Sequence, residues 1–184
     1  MPTKVVFLDR DGTINRDSPD YITGREEFEF LPGSLEAKQN LTHLGFVNIV
    51  VTTQSAGPSK WRSGQELELV HNMMAQTVAL NGGEIKDIFY CPHMPDEGCD
   101  CRKPEPGMIF QAREKYEIDL TAAVMVGDSA KDIECARRAG CGRAVLVKSG
   151  QKNDVEADLK NNRQIRVDYV ARDLYEAAEW IIKT

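Results

Sequence analysis

The chain has 184 residues, 41% hydrophobic and 28% charged, with a formal net charge of -6. That length suits one compact domain over residues 1–184, and no stretch has the biased composition of a disordered tract. The acidic balance argues against a nucleic-acid footprint or a polybasic membrane patch, which need clustered Lys and Arg, and leaves a small molecule as the expected partner.

The opening "MPTKVVFLDRDG" has an apolar run of only four residues before charge intervenes, too short for a signal peptide or a membrane anchor. A cytoplasmic monomer is expected. Short β-branched runs follow in order: "KVVFLD" (4–9), "VNIVVTT" (47–53), "DIFYCP" (87–92), "AVMVGD" (123–128) and "AVLVKSG" (144–150). They read as strands buried on both faces. Between them, "SLEAKQNLTHLG" (34–45) is apolar at Leu35, Ala37, Leu41 and Leu44 and runs from Ser34, an N-cap candidate, to Gly45. Further helices are expected over 66–83, 106–118 and 129–141, and in the amphipathic tail "ARDLYEAAEWIIKT". Strand and helix alternating in this way imply a doubly wound parallel sheet, with ligands beyond the carboxyl ends of its strands. The segment from Arg16 to Pro32 is long for a strand-to-helix link and reads as a flap over the site.

Polar residues fall where such a sheet places its ligands: Asp9 and Asp11 after the first strand, Thr52 to Ser55 after the second, Asp128 after the fourth. Alternation along an extended chain would turn Asp9 and Asp11 to one side. At about 4 Å and an effective dielectric of 20, their repulsion is roughly 4 kcal/mol, which calls for a hard divalent cation, most simply Mg²⁺. Gly12 would let the chain turn sharply and leave backbone N–H groups for an anion. An isolated D-x-D-G is more often a mere polar turn, but here "VGDSAKD", "VVTTQS" and "CRKP" accompany it.

Three of the five cysteines crowd into "CPHMPDEGCDCRKP". Cys91, His93, Cys99 and Cys101 form two C-x-[CH] pairs that can close a tetrahedron around a structural Zn²⁺, fixing Arg102 and Lys103 next to it. By contrast, His43 and His71 lie inside amphipathic helices and read as packed or solvated, and Cys135 and Cys141 as small packing residues.

Together, "DRDGTIN", "VVTTQS", "CRKP" and "VGDSAKD" resemble the four motifs of the haloacid dehalogenase superfamily of phosphohydrolases. The resemblance implies a Rossmann-like sheet without a large cap domain, Asp9 as the nucleophile that becomes an aspartyl-phosphate, and Asp11 as general acid and base. It further implies Thr52 and Lys103 on the phosphoryl group, and Mg²⁺ on the Asp9 carboxylate, the Asp11 backbone carbonyl and Asp128. Within the superfamily, "DSPDYI", "FEFLPGSLEA", "YCPH", "CDCRKPEPGMI" and "MVGDSAKDI" resemble the D-glycero-D-manno-heptose 1,7-bisphosphate phosphatases. By that resemblance, Arg102 would touch the phosphoryl group beside Lys103, Asp17 to Tyr21 would line the pocket, and Thr52, Thr53, Gln54 and Ser55 would contact substrate. Such enzymes serve nucleotide-activated heptose supply.

Two features depart from that pattern. The five-residue gap in the zinc loop is more similar to the histidinol-phosphate phosphatases. "TTQSAGPSKW" has Thr53 where the heptose family has asparagine and lacks its arginine, for which Lys60 or Arg62 could substitute. A histidinol-phosphate or broad sugar-phosphate phosphatase is therefore the alternative, and a decayed binding protein on the same fold is the rival outside catalysis.

Overall fold

The computed structural model describes residues 3–18, 22, 24–55, 64–150, 155, 157 and 165–184. Six parallel strands form its sheet: β1 Val5–Leu8, β2 Val47–Thr53, β3 Asp87–Cys91, β4 Val124–Gly127, β5 Arg143–Val147 and β6 Tyr169–Ala171, in the spatial order β3-β2-β1-β4-β5-β6. Among the described residues, these α-helices flank it: α1 Ser34–His43, α2 Gly64–Leu80, α3 Gly107–Tyr116, α4 Ala130–Ala139 and α5 Leu174–Lys183. Among the described residues no helix is long and apolar enough to cross a membrane.

Strand alternation divides the core between the two faces. Val5, Phe7, Ile49, Val51 and Met125 pack with Met108, Ile109 and Ala112 of α3 and Ile133 and Ala136 of α4. Val6, Leu8, Val50, Val124 and Val126 pack with Ala37 and Leu41 of α1, Met74 of α2 and Leu174, Ala177 and Ile181 of α5. The sheet is thus doubly wound, and the strand order reverses between β1 and β4. A crevice at that switch point, at the carboxyl ends of the strands, is where this architecture takes a ligand.

Several local expectations need correction. Burial on both faces fails for β3, where Asp87 to Phe89 are half-buried and Tyr90 is exposed, because β3 is an edge strand with one neighbour. The short β6 escaped notice because three residues flanked by charge carry no readable period. The cap of α1 is Gly33, at φ 78°, and Ser34 lies inside the helix with its Oγ donating to the Ile14 carbonyl at 2.7 Å. The buried stripe is accordingly Ser34, Ala37, Lys38 and Leu41, while Leu35 is half-buried and Leu44 exposed. As for the flap segment, its base is tied down: the Arg16 amide donates to the Glu29 carbonyl at 2.8 Å and the Leu31 amide to Ile14 at 3.0 Å. The Phe28 and Phe30 rings meet edge to face at 5.0 Å.

Lys38 is a cation on the wrong side of its helix. Its side chain is fully buried, and Nζ reaches the Ser34 carbonyl at 3.5 Å. Burial pulls the ammonium down from 10.5 to about 7. Between those two values the unfolded chain binds a proton that the folded chain does not, so stability rises with pH across that window and is lowest at and below pH 7. Urea unfolding of Lys38→Met should accordingly show a gain of a few kcal/mol at pH 7 and a flatter dependence between pH 7 and pH 10 than the parent chain.

Candidate active site

The crevice is built from strand ends. Asp9 follows β1 directly, and its amide still pairs with the Val126 carbonyl of β4 at 2.9 Å. The chain then turns. Gly12 adopts φ +82°, its amide donates to Asn15 O at 2.8 Å, and the Thr13 and Ile14 amides donate to Arg10 O at 3.2 and 2.8 Å. The turn itself consumes these three donors, so the amides of Gly12, Thr13 and Ile14 are not the ones available to an anion. Glycine is required here for a different reason as well: a Cβ on Gly12 would lie 2.3 Å from Asp128 Oδ2, and one on Gly150 would lie 2.1 Å from it. The Asp128 carboxylate sits in a slot between two glycines.

Across the switch point, Ser129 and Asp132 form a capping box at the start of α4. Asp132 Oδ2 accepts from the Ser129 amide at 3.0 Å and its Oγ at 2.7 Å, which leaves Oδ1 to accept from Lys103 Nζ at 2.7 Å. Lys103 also donates to Asp9 Oδ1 at 2.8 Å. Burial alone would lower the Lys103 ammonium, but the carboxylates of Asp132 and Asp9 outweigh it and hold the group above its ordinary value. Asp9, Asp128 and Asp132 are all buried, and one oxygen from each lies within 4.8 Å of the others. Three carboxylates against one ammonium make a negative pocket of hard oxygen donors, which fits a divalent cation.

Asp11 is held separately. Its Oδ1 accepts from Arg10 Nε at 3.1 Å, Arg10 Nη2 at 2.9 Å and Asn15 Nδ2 at 2.9 Å, and its Oδ2 from Gln54 Nε2 at 2.7 Å. Burial would raise this carboxyl, yet the Arg10 charge and the bonds from Asn15 and Gln54 take it below the usual carboxylate range. The repulsion between Asp9 and Asp11 is therefore offset by two protein cations, Lys103 and Arg10. Lys103 is itself shared between Asp9 and Asp132, so at the switch point three carboxylates, Asp9, Asp128 and Asp132, gather around one ammonium.

Thr52, one residue before the end of β2, is buried, with its Oγ accepting from Gln54 Nε2 at 2.9 Å. Gln54 Oε1 accepts from Arg10 Nη2 at 3.0 Å, so the amide expected to touch substrate is committed to protein groups at both ends. Arg10 also reaches His71 Nε2 at 3.1 Å, and burial together with the Arg10 charge pulls that imidazole down to about 3. Thr53 is half-buried, while Ser55 is buried and receives a hydrogen bond from Arg102. Asp17 is half-buried, and its Oδ1 accepts from the Ser18 amide at 2.9 Å. Tyr21, Lys60 and Arg62 lie outside the described residues.

Next to Lys103, the side chains of Cys91, His93, Cys99 and Cys101 converge, with ligand atoms within 4.8 Å of one another. Cys91 Sγ is 3.6 Å from Cys99 Sγ and 3.5 Å from His93 Nδ1, which is 3.2 Å from Cys101 Sγ. A tetrahedral zinc with thiolate and imidazole ligands has edges of about 3.5–3.8 Å, so the cage has the right size. Burial pushes the Cys91 and Cys101 thiols up, and a bound cation is what would hold them as thiolates. Arg102 fastens this loop to the β2 end, donating to His93 O at 2.9 Å as well as to Ser55.

Known proteins share this fold. A HAD-hydrolase-like family model matches residues 100–177. A D-glycero-beta-D-manno-heptose-1,7-bisphosphate 7-phosphatase of Pseudomonas aeruginosa is 45% identical over 151 residues, 82% of this chain and 84% of its own. The corresponding alpha-anomer phosphatase of Photorhabdus laumondii is 39% identical over 86% of this chain and 92% of its own. The crystal structure of the D,D-heptose 1,7-bisphosphate phosphatase of B. bronchiseptica, complexed with magnesium and phosphate, superimposes with a TM-score of 0.90 over 98% of both chains at 35% identity. The chain belongs to the heptose-1,7-bisphosphate 7-phosphatase family.

Within this heptose phosphatase site, reading the sequence passed over three residues. Asp132 was visible in "VGDSAKD" but carried no role, although a Ser-x-x-Asp capping box after a strand end was signal enough to place it. Arg10 and His71 had no such signal, since their pairing joins residues 61 apart in sequence through burial alone. In metal-free buffer, Lys103→Met should lose about 3–5 kcal/mol at pH 7, because it strands buried carboxylates. The loss should shrink as the acids protonate toward pH 4, which urea unfolding at both pH values would measure.

Proposed function

We propose that the chain is a magnesium-dependent phosphatase that removes the 7-phosphate of D-glycero-D-manno-heptose 1,7-bisphosphate. The observation that carries this is the buried cluster of Asp9, Asp128 and Asp132 around Lys103 at the switch point, in a chain whose relatives bear that name. Lys103 fixes Asp9 through Oδ1, and the second oxygen of Asp9 attacks phosphorus. A P–O bond forms to Asp9, the bond to the sugar oxygen breaks, and Asp11 gives that oxygen its proton. Water then attacks the aspartyl-phosphate, passes a proton to Asp11, and Asp9 leaves. The ionised Asp11 favoured by Arg10, Asn15 and Gln54 is the base of the second half, and an incoming phosphoryl group, being an anion, raises its affinity for the proton needed in the first. Mg²⁺ would be held by the Asp9 carboxylate, the Asp11 carbonyl and Asp128, where it supplies charge neutralisation for the transferring group.

Thr52 would donate to a phosphoryl oxygen, Arg102 would reach the same group, and Asp17, Tyr21, Thr53 and Ser55 would contact the sugar. Gln54, committed to Arg10, Asp11 and Thr52, supports these residues from behind. Zn²⁺ on Cys91, His93, Cys99 and Cys101 would be structural, since four protein ligands leave no open position.

Asp9→Asn should abolish phosphate release while the circular dichroism stays native, and a variant that keeps near-parental turnover refutes the nucleophile. Comparing kcat/KM for both anomers of the heptose bisphosphate, fructose 1,6-bisphosphate and histidinol phosphate decides the substrate. The five-residue gap of the zinc loop favours the histidinol reading, and a preference for histidinol phosphate would establish it. Metal analysis should find about one zinc per chain, and its removal by a strong chelator should lower Tm and activity together.

A further inference from the structure

We propose that Arg10, Gln54 and His71 form a positioning relay that sets the direction of the Thr52 hydroxyl and holds the Asp11 carboxylate. The inference rests on the roles proposed above for Thr52 and Asp11. Each relay member is shielded from water: Arg10 is 0% exposed, Gln54 1% and His71 7%.

A guanidinium has donors only, so every atom it faces must accept. His71 Nε2, 3.1 Å from Arg10 Nη1, is therefore the bare nitrogen, and the imidazole proton sits on Nδ1. By the same rule, the Gln54 atom 3.0 Å from Arg10 Nη2 is the carbonyl oxygen. That choice fixes the amide the other way round as well: Nε2 must donate, to Asp11 Oδ2 at 2.7 Å and Thr52 Oγ at 2.9 Å. An oxygen receiving a hydrogen from Gln54 cannot aim its own hydrogen back along the same line. The single Thr52 O–H is thus directed away from Gln54, as a phosphoryl donor at the end of β2 requires. His71, on α2, governs this only through Arg10. Without its acceptor, Arg10 Nη1 is left with a buried unmet donor, and a guanidinium that shifts to satisfy it carries Gln54 out of place. A misplacement of about 1 Å at a positioned group costs on the order of 100-fold in rate.

Two measurements test the relay. In nitrogen-15 spectra of histidine-labelled protein at pH 7, His71 should show a bare Nε2 and a protonated Nδ1. In steady-state assays with the preferred sugar phosphate, His71→Leu should lower kcat about 10- to 100-fold with KM nearly unchanged, and His71→Gln, whose amide oxygen can accept from Arg10, should recover most of the loss. The relay is overturned if His71 carries its proton on Nε2, if the leucine variant keeps parental kcat, or if both variants fall equally. Spectra need no substitution and no turnover, so they decide the relay even where a variant does not fold. A parental protein that releases no phosphate would refute the proposed function instead.

Discussion

The structure of the site depends on one buried ammonium. Lys103 lies between Asp9 at the end of β1 and Asp132 at the start of α4, and it is the charge that allows two carboxylates from different elements to share a dry crevice. Without it the switch point would gather three buried acids and lose the ammonium that two of them share, and desolvation would favour protons on them. With it Asp9 has a fixed positive partner, as the nucleophilic role proposed for it requires. The cost of burying Lys103 is met by the same two partners, so carboxylates and cation stabilise one another.

A lysine can hold that place only if its backbone is held too. Lys103 sits two residues past Cys101, in a loop of 14 residues running from Cys91 to Pro104 with little apolar surface. A cation in the cysteine and histidine cage would do for this loop what a hydrophobic core does for the helices. Arg102 adds a second tether, joining His93 O to Ser55 at the end of β2. Arg102 links the loop to the end of β2, and Lys103 links it to the end of β1 and the start of α4. Two strand ends and a helix start are thereby joined through one loop by polar contacts.

How far the sequence revealed this depends on the range of each interaction. Five strands and the helices α1 to α5 were legible, because buried β-branched runs and capped amphipathic stretches are local signals. Asp9, Asp128 and Lys103 were legible as strand-end residues, and Cys91, His93, Cys99 and Cys101 from spacing. What could not be read was orientation. Nothing local shows that Arg10 points inward to His71 and Gln54, that Lys38 occupies the buried stripe of α1, or that Ser34 gives its hydroxyl to Ile14 and leaves the cap to Gly33. These follow from which face of an element is covered, a tertiary property. Alternation suggested that Asp9 and Asp11 act as a repelling pair. That reading stopped being valid one residue after Leu8, where the strand becomes a turn.

The division of labour proposed for Asp9 and Asp11 then has a physical basis. Each carboxylate has its own fixed cation, and the two cations sit in different networks: Lys103 with the acid cluster, Arg10 with Asn15, Gln54 and His71. The nucleophilic role proposed for Asp9 needs an unprotonated oxygen, and Lys103 places an ammonium 2.8 Å from Asp9 Oδ1. A proton shuttle must exchange its proton, and the side chain of Asp11 is 20% exposed where that of Asp9 is 10%. Two aspartates two positions apart can therefore serve opposite roles, because the fold gives them different neighbours and different access to water.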